Sequence, residues 1–239
     1  MMAEQSHKQA LLTTCAAGNL QTIQSYFTTY NTLPGSQVLW LEMDKSPPST
    51  WKLVTAAITH ENVAVITYLL SIYTVGDISY EEIASALIQH PNLGIISLLY
   101  AHSPEIVNLE IDPHRTLLTE TCRGCRDSIK LTLPLLHFLL NHGADLYAGG
   151  VGASRGLLSA VESGQPWEVI GKMSECGASV NVLVFWAAAR VERVDGSRGF
   201  FEIGRLSGVL LAGSMVEIAK GIGDEEVRAV VEGGIYGME

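Results

Sequence analysis

The chain predicts an all-α solenoid of helical hairpins with enlarged loops. Three observations lead there. One phrase recurs along the sequence, its copies are separated by about the length of a helical hairpin, and the apolar residues inside each copy fall at helical spacing. Each copy is a short helix ending in a small-residue step, then an Asn or its equivalent, then a second helix that closes on a hydrophobic pair.

The first copy is Thr14-Cys15-Ala16-Ala17-Gly18-Asn19-Leu20, leading to Tyr26-Phe27. The second is Ala57-Ile58-Thr59-His60-Glu61-Asn62-Val63, leading to Leu69-Leu70, and the third is Leu87-Ile88-Gln89-His90-Pro91-Asn92-Leu93, leading to Leu99-Tyr100. A further copy, Ala160-Val161-Glu162-Ser163-Gly164, leads to Met173. In the second helices Val63, Ile66, Leu69 and Leu70, and likewise Leu93, Ile96, Leu99 and Tyr100, form an apolar stripe expected to lie in the core. The first helices are shorter. Their small residues Ala16, Ala56, Ala57, Ala86 and Ala160 let neighbouring units approach closely. A unit of this kind buries its face only against its neighbours, which points to a binding surface before any chemistry.

Leu139-Leu140-Asn141-His142-Gly143-Ala144-Asp145-Leu146 resembles the LLxxGADxN helix exit of the ankyrin repeat family, and Glu175-Cys176-Gly177-Ala178-Ser179-Val180-Asn181 repeats it. The second residues of these closing pairs, Leu140 and Ser174, lie 34 residues apart, against an ankyrin period of about 33. Earlier steps, from Phe27 to Leu70, Tyr100 and Leu140, are 43, 30 and 40 residues. The extra length falls in Leu33-Pro34-Gly35-Ser36 and Ser46-Pro47-Pro48-Ser49, which read as enlarged loops. Arg115-Thr116-Leu117-Leu118-Thr119-Glu120-Thr121 is the nearest copy of the family's TPLHxA opening. The degenerate spacing is similar to that of fungal-type ankyrin proteins. The whole chain is read as one such solenoid, with approximate repeats at 8–30, 51–73, 82–102, 115–147 and 155–181 and degenerate ones over 182–239.

The resemblance implies a protein-interaction module, with the two residues after each small step on the concave, partner-facing side. Here those are Ala16/Ala17, Thr59/His60, Gln89/His90, Arg123/Gly124 and Glu162/Ser163. The expected contacts to a partner are therefore Thr59, His60, Gln89, His90, Arg123, Glu162 and Ser163. His60 and His90 hold equivalent places in successive units and are expected as stacked neighbours on one face.

Composition and charge narrow the classes. With 47% hydrophobic residues in 239, the chain can build a continuous core. A net charge of −10 opposes general nucleic-acid binding, which needs a basic stripe against phosphates. The local arginines, Arg190, Arg193, Arg198 and Arg205, alternate with Glu192, Asp195 and Glu202 and read as a solvated, ion-paired surface. The apolar run at 182–189 falls well short of the ~20 residues that span a bilayer, so no membrane span is expected. Residues 1–10 carry no apolar leader segment, and four irregularly spaced cysteines fit a reducing compartment, the cytoplasm or the nucleus.

Rival chemistries are weighed residue by residue. Cys122-x2-Cys125 followed by His137-x4-His142 nearly reproduces a two-Cys, two-His zinc spacing. Against it, Pro134 should interrupt the finger helix, His142 belongs to the repeat exit, and Cys122 matches the position of the small apolar Cys15. Gly152-Ala153-Ser154-Arg155-Gly156 matches the nucleophile-elbow pattern, but no histidine follows that serine, since the last one is His142. Gly150, Gly152 and Gly156 space one residue too long for a dinucleotide loop and read as a turn between repeats.

Trp51, Trp167 and Trp186 read as packing residues, and Trp40 as a candidate exposed anchor. Asp224, Glu225 and Glu226 read as the acidic first turn of a terminal capping helix. The expectation is a non-enzymatic interaction module with no cofactor and no metal. Two alternatives stay open: a small-molecule or catalytic use of a groove near His60, His90 and Arg123, and a zinc-stabilised structural protein.

Overall fold

The computed structural model describes residues 2–29, 48–73, 81–124, 129–148, 155–181, 183–184 and 187–188. The loop at 33–36, Trp40, Cys125, Gly150, Gly152, Ser154, Trp186, the arginines of 190–205 and the acidic run at 224–226 lie outside these. Within the described residues the protein is mostly helical. Ten α-helices, one 3-10 turn and a two-stranded ladder follow in the order given below. They belong to two compact units, Met1–Ile111 and Asp112–Glu239.

In the first unit α1 (Met2–Ala16), α3 (Thr50–Thr59) and α5 (Glu81–Gln89) form an inner row, α1 against α3 and α3 against α5. The outer row is α2 (Leu20–Thr29), α4 (Val63–Ile72) and α6 (Leu93–His102), with α2 against α4 and α4 against α6. A 3-10 turn over Pro104–Asn108 follows α6. The core between the rows holds Leu11, Cys15, Ile23, Phe27, Leu53, Ile58, Ile66, Leu69, Ile83, Leu87, Ile96 and Leu99, all buried. Each fully buried side chain of this size contributes roughly 1.5–3 kcal/mol.

The turns that make these hairpins follow from backbone chemistry. Gly18 adopts φ +70°, the left-handed region open to glycine, and Gly18 N–H and Asn19 N–H donate to the oxygens of Cys15 and Thr14. Those two bonds close the last turn of α1. Asn19 then accepts from Thr22 N–H at 3.1 Å and starts α2. The second hairpin repeats the geometry with Glu61 at φ +54°, a residue that lacks glycine's freedom. In the third, Pro91 stands at the corresponding place, and Asn92 caps α6 by accepting from Gly94 and Ile95 N–H.

The apolar stripe of the outer helices differs from the sequence expectation in its first turn. Ile66, Leu69, Ile96 and Leu99 are buried, but Val63 is 41% and Leu93 47% exposed, and Leu70 and Tyr100 are half-buried. Val65 and Ile95 take their place in the core. The contact face is set by where the helix meets its neighbours, and Val63 and Leu93, as opening residues, project past it.

The second unit begins with β1 (Glu110–Asp112) and β2 (Arg115–Thr116), paired in a two-stranded ladder whose first strand starts just before the unit boundary. Asp112 closes the connecting turn by accepting from His114 N–H and Arg115 Nε, the latter at 2.6 Å. Thr116 caps α7 (Leu117–Arg123) through a reciprocal pair of bonds with Thr119. Inner α7 lies beside inner α9 (Arg155–Glu162), and outer α8 (Ile129–Asn141) beside outer α10 (Trp167–Glu175). Helix α8 runs through Pro134, so the proline, set against an uninterrupted finger helix in the zinc reading, does not interrupt the helix here. As the sixth of thirteen residues Pro134 costs α8 one internal N–H bond, and its ring is exposed.

Both outer helices of this unit end alike. Gly143 (φ +80°) and Ala144 donate to Leu140 and Leu139 oxygens, and Gly177 (φ +97°) and Ala178 to Ser174 and Met173. Tyr147 ties the two exits together, its hydroxyl donating to Gly177 O at 2.8 Å and accepting from Ser179 N–H. Gly156, part of the nucleophile-like pattern, lies in α9, where an added methyl would meet Leu118 Cδ2 at 3.1 Å. Close helix approach accounts for that glycine.

Candidate interaction surface

Every residue expected at a partner surface stands at or just past the end of an inner helix. Thr59 is the last residue of α3, half-buried, with its hydroxyl donating to Thr55 O at 2.9 Å. His60 is exposed, its Nδ1 3.1 Å from Ala56 O, so the tautomer protonated there donates back to the helix. Gln89 ends α5 and is exposed, and His90 follows it half-buried. In the second unit Arg123 ends α7 and pairs with Glu120 at 2.8 Å, while Glu162 ends α9 and Ser163 follows. The seven residues are thus divided between the units, four in the first and three in the second.

Two of them share one feature. Thr59 and Gln89 line an open groove of about 480 Å³ between α3 and α5, together with Thr55, Glu81, Glu82, Ser85 and Ala86. The histidines are not among its lining residues. The groove exists because each inner helix turns its apolar residues to the core, Leu53, Val54, Ala57 and Ile58 from α3 and Ile83, Ala84 and Leu87 from α5. The complementary polar positions are left along the seam. Sequence reasoning placed the surface after the small step and so missed Thr55, Glu81, Glu82 and Ser85. The signal was present in α5, where Glu81, Glu82, Ser85 and Gln89 fall at helical spacing opposite the apolar set.

The groove is acidic and rich in acceptors. Glu81 and Glu82 occupy the first turn of α5, where their charge also suits the positive end of the helix. Thr55 Oγ1 is enclosed and has no hydrogen-bond partner among the described residues.

The described residues of the zinc-like spacing, Cys122, His137 and His142, are engaged elsewhere. Cys122 is fully buried in α7, and burial pushes its thiol far above the ordinary range, against the deprotonation that metal ligation needs. His142 Nδ1 lies 2.7 Å from Phe138 O, and its ring stacks on Phe138 at 3.9 Å. His137 faces Glu168 on α10 at 3.5 Å. Among the described residues no three His, Cys, Asp or Glu side chains are grouped to hold a metal ion. No helix among them is long and apolar enough to cross a membrane.

Comparison with protein-family models, with curated proteins and with solved structures finds no match to this chain.

Proposed function

We propose that the chain is an ankyrin-type protein-interaction module, without enzymatic activity, that holds a protein partner through the exposed residues of its inner helices. The groove between α3 and α5 carries this reading. Its lining residues are polar except Ala86, while the opposite faces of both helices are buried, so the surface is preformed and little order has to be imposed when a partner arrives. The repeated glycine exits at Gly143 and Gly177 support the ankyrin assignment, as do the similar inner-helix turns at Gly18, Glu61 and Gly164. A reducing compartment, the cytoplasm or nucleus, suits buried thiols at Cys15 and Cys122.

The test is affinity capture with the parent chain and with a variant in which His60, Gln89, His90 and Glu162 are all replaced by alanine. These four are exposed or half-buried at helix ends, so each replacement should change stability by no more than about 0.5 kcal/mol. Capture of the parent's partner should weaken more than tenfold, which requires only about 1.4 kcal/mol. Undiminished capture by the variant, with loss instead on substituting within 190–205, would move the working surface to the C-terminal part of the chain.

A further inference from the structure

We propose that the Asp112–Pro113 peptide bond is a self-cleavage site, hydrolysed in mild acid with the chain's own Asp112 carboxylate as nucleophile. The bond lies in the turn between β1 and β2, where Pro113 and His114 are exposed to water and Asp112 is half-buried. Asp112 Oδ1 accepts from His114 N–H at 2.8 Å. That hydrogen bond closes a ring running from the Asp112 side chain through its own carbonyl carbon, the Pro113 nitrogen and the His114 N–H. The scissile bond is part of the ring, so the carboxylate is held beside it. Arg115 Nε donates to Oδ2 at 2.6 Å and fixes the other oxygen.

The chemistry needs an ionised carboxylate as nucleophile and acid to protonate the leaving nitrogen. Ordinarily the two conflict, because acid strong enough for the second protonates the first. Here the Arg115 guanidinium, with the His114 N–H behind it, holds the Asp112 carboxyl below the ordinary carboxylate range and keeps the nucleophile into more acid solution. Of the other charged groups, Glu110 stands two residues earlier on β1, and Glu120 of α7 lies 3.8 Å from Arg115 and pairs with Arg123. Attack by a carboxylate oxygen on the Asp112 carbonyl carbon forms a C–O bond and closes a five-membered ring. The C–N bond then breaks, its electron pair stays on the Pro113 nitrogen, and that nitrogen takes a proton from solvent and departs as a secondary amine. One water opens the resulting cyclic anhydride and leaves Asp112 with two carboxyl groups. The sum is hydrolysis of one peptide bond, once per chain, with no change of oxidation state. The pieces, 1–112 and 113–239, match the two compact units to within one residue.

The test holds the full chain at 37 °C, at the lowest pH where circular dichroism shows it folded, beside the same chain unfolded in urea at that pH. Denaturing electrophoresis and intact-mass spectrometry follow the fragments. Two pieces, ending at Asp112 and beginning at Pro113, are expected, formed about tenfold faster from the folded chain because its nucleophile is already placed. Asp112→Asn keeps the bond and removes the nucleophile, and should abolish cleavage; Pro113→Ala, with a primary amine to expel, should slow it severalfold. Within the folded range the parent's rate should rise with acidity and level off only where Asp112 takes its proton. Arg115→Gln should level off at a higher pH and reach a lower maximum. Absence of the two fragments, equal or slower cleavage of the folded chain, cleavage that survives Asp112→Asn, or an unshifted profile in Arg115→Gln would each overturn the proposal.

Discussion

Asn62 reaches back 47 residues to hold Cys15: its Nδ2 donates to Cys15 O at 2.9 Å, and also to Ala16 O at 2.7 Å. The last carbonyls of an α-helix have no partner within it, so the second hairpin completes the end of the first. Gln165 does the same in the other unit, with Nε2 donating to Cys122 O at 2.7 Å. The capped residue is thus a buried cysteine in both units, preceded in each case by threonine.

This clamp makes Gly18 doubly constrained. A methyl group there would lie 2.6 Å from Asn62 Oδ1, and φ is +70°. Gly18→Ala should therefore cost about 1–2 kcal/mol from the backbone and more from displacing Asn62. Asn62→Ala should cost about 1–3 kcal/mol by removing its bonds to Cys15 O and Ala16 O, of which Cys15 O keeps only the one from Gly18 N–H. Urea denaturation of both and of the double variant should show the pair losing about 1 kcal/mol less than the sum. Gly171, inside α10 with nothing near its position, is the contrast: Gly171→Ala should stabilise by about 0.5–1 kcal/mol.

Core and surface positions on the same helices should separate cleanly. Leu69, Leu99 and Leu139 are fully buried, so replacing any of them by alanine should cost about 2–5 kcal/mol. Val63→Ala and Leu93→Ala, at nearly half-exposed positions, should cost under about 1 kcal/mol. Denaturation midpoints decide it, and losses at Val63 and Leu93 as large as those in the core would restore the stripe read from spacing alone.

The hairpins were legible because their punctuation is local. Gly143 and Gly177, two residues past their outer helices, announce the turn, and the apolar sets of α3 to α6 carry the helical period. Val63 and Leu93 were misread because spacing fixes a face but not where along the helix a neighbour begins to cover it. The recurring Asn at positions 19, 62 and 92 was visible, yet its uses differ. Asn62 caps the preceding hairpin, whereas Asn92 caps its own helix and donates to Glu61. A side chain's partner 47 residues away leaves no periodic trace. The groove was missed for a similar reason, since it joins Thr55 on one helix to Ser85 on the next.

Acid should act on the first unit through His102. Burial at the end of α6 lowers its pKa from the ordinary 6.5, so the folded chain binds this proton less readily than the unfolded one. Above pH 6.5 both states are neutral there and the group contributes nothing. As pH falls through 6.5 the unfolded state gains the proton first, and stability declines until the folded pKa is passed. Unfolding free energies measured across this window should fall less steeply for His102→Gln than for the parent, and identical slopes would exclude the group as a source.

Thiol reactivity should sort the cysteines by burial. Cys15 lies in the core, and burial pushes its thiol up to about 12; Cys122 is fully buried and raised further still. At pH 7.5 almost none of either is thiolate, the form that attacks an alkylating reagent. Both are also closed off from a reagent by neighbouring helices. Cys176 is exposed at the end of α10, open to the reagent. Native protein treated with iodoacetamide and mapped by mass spectrometry should be modified at Cys176, with Cys15 and Cys122 modified only after denaturant opens the hairpins. Their labelling rates then report local opening, and Asn62→Ala, which loosens the turn holding Cys15, should speed modification at Cys15 while leaving Cys122 slow. Prompt modification of Cys15 in the parent would mean that the first hairpin opens far more readily than its buried core implies.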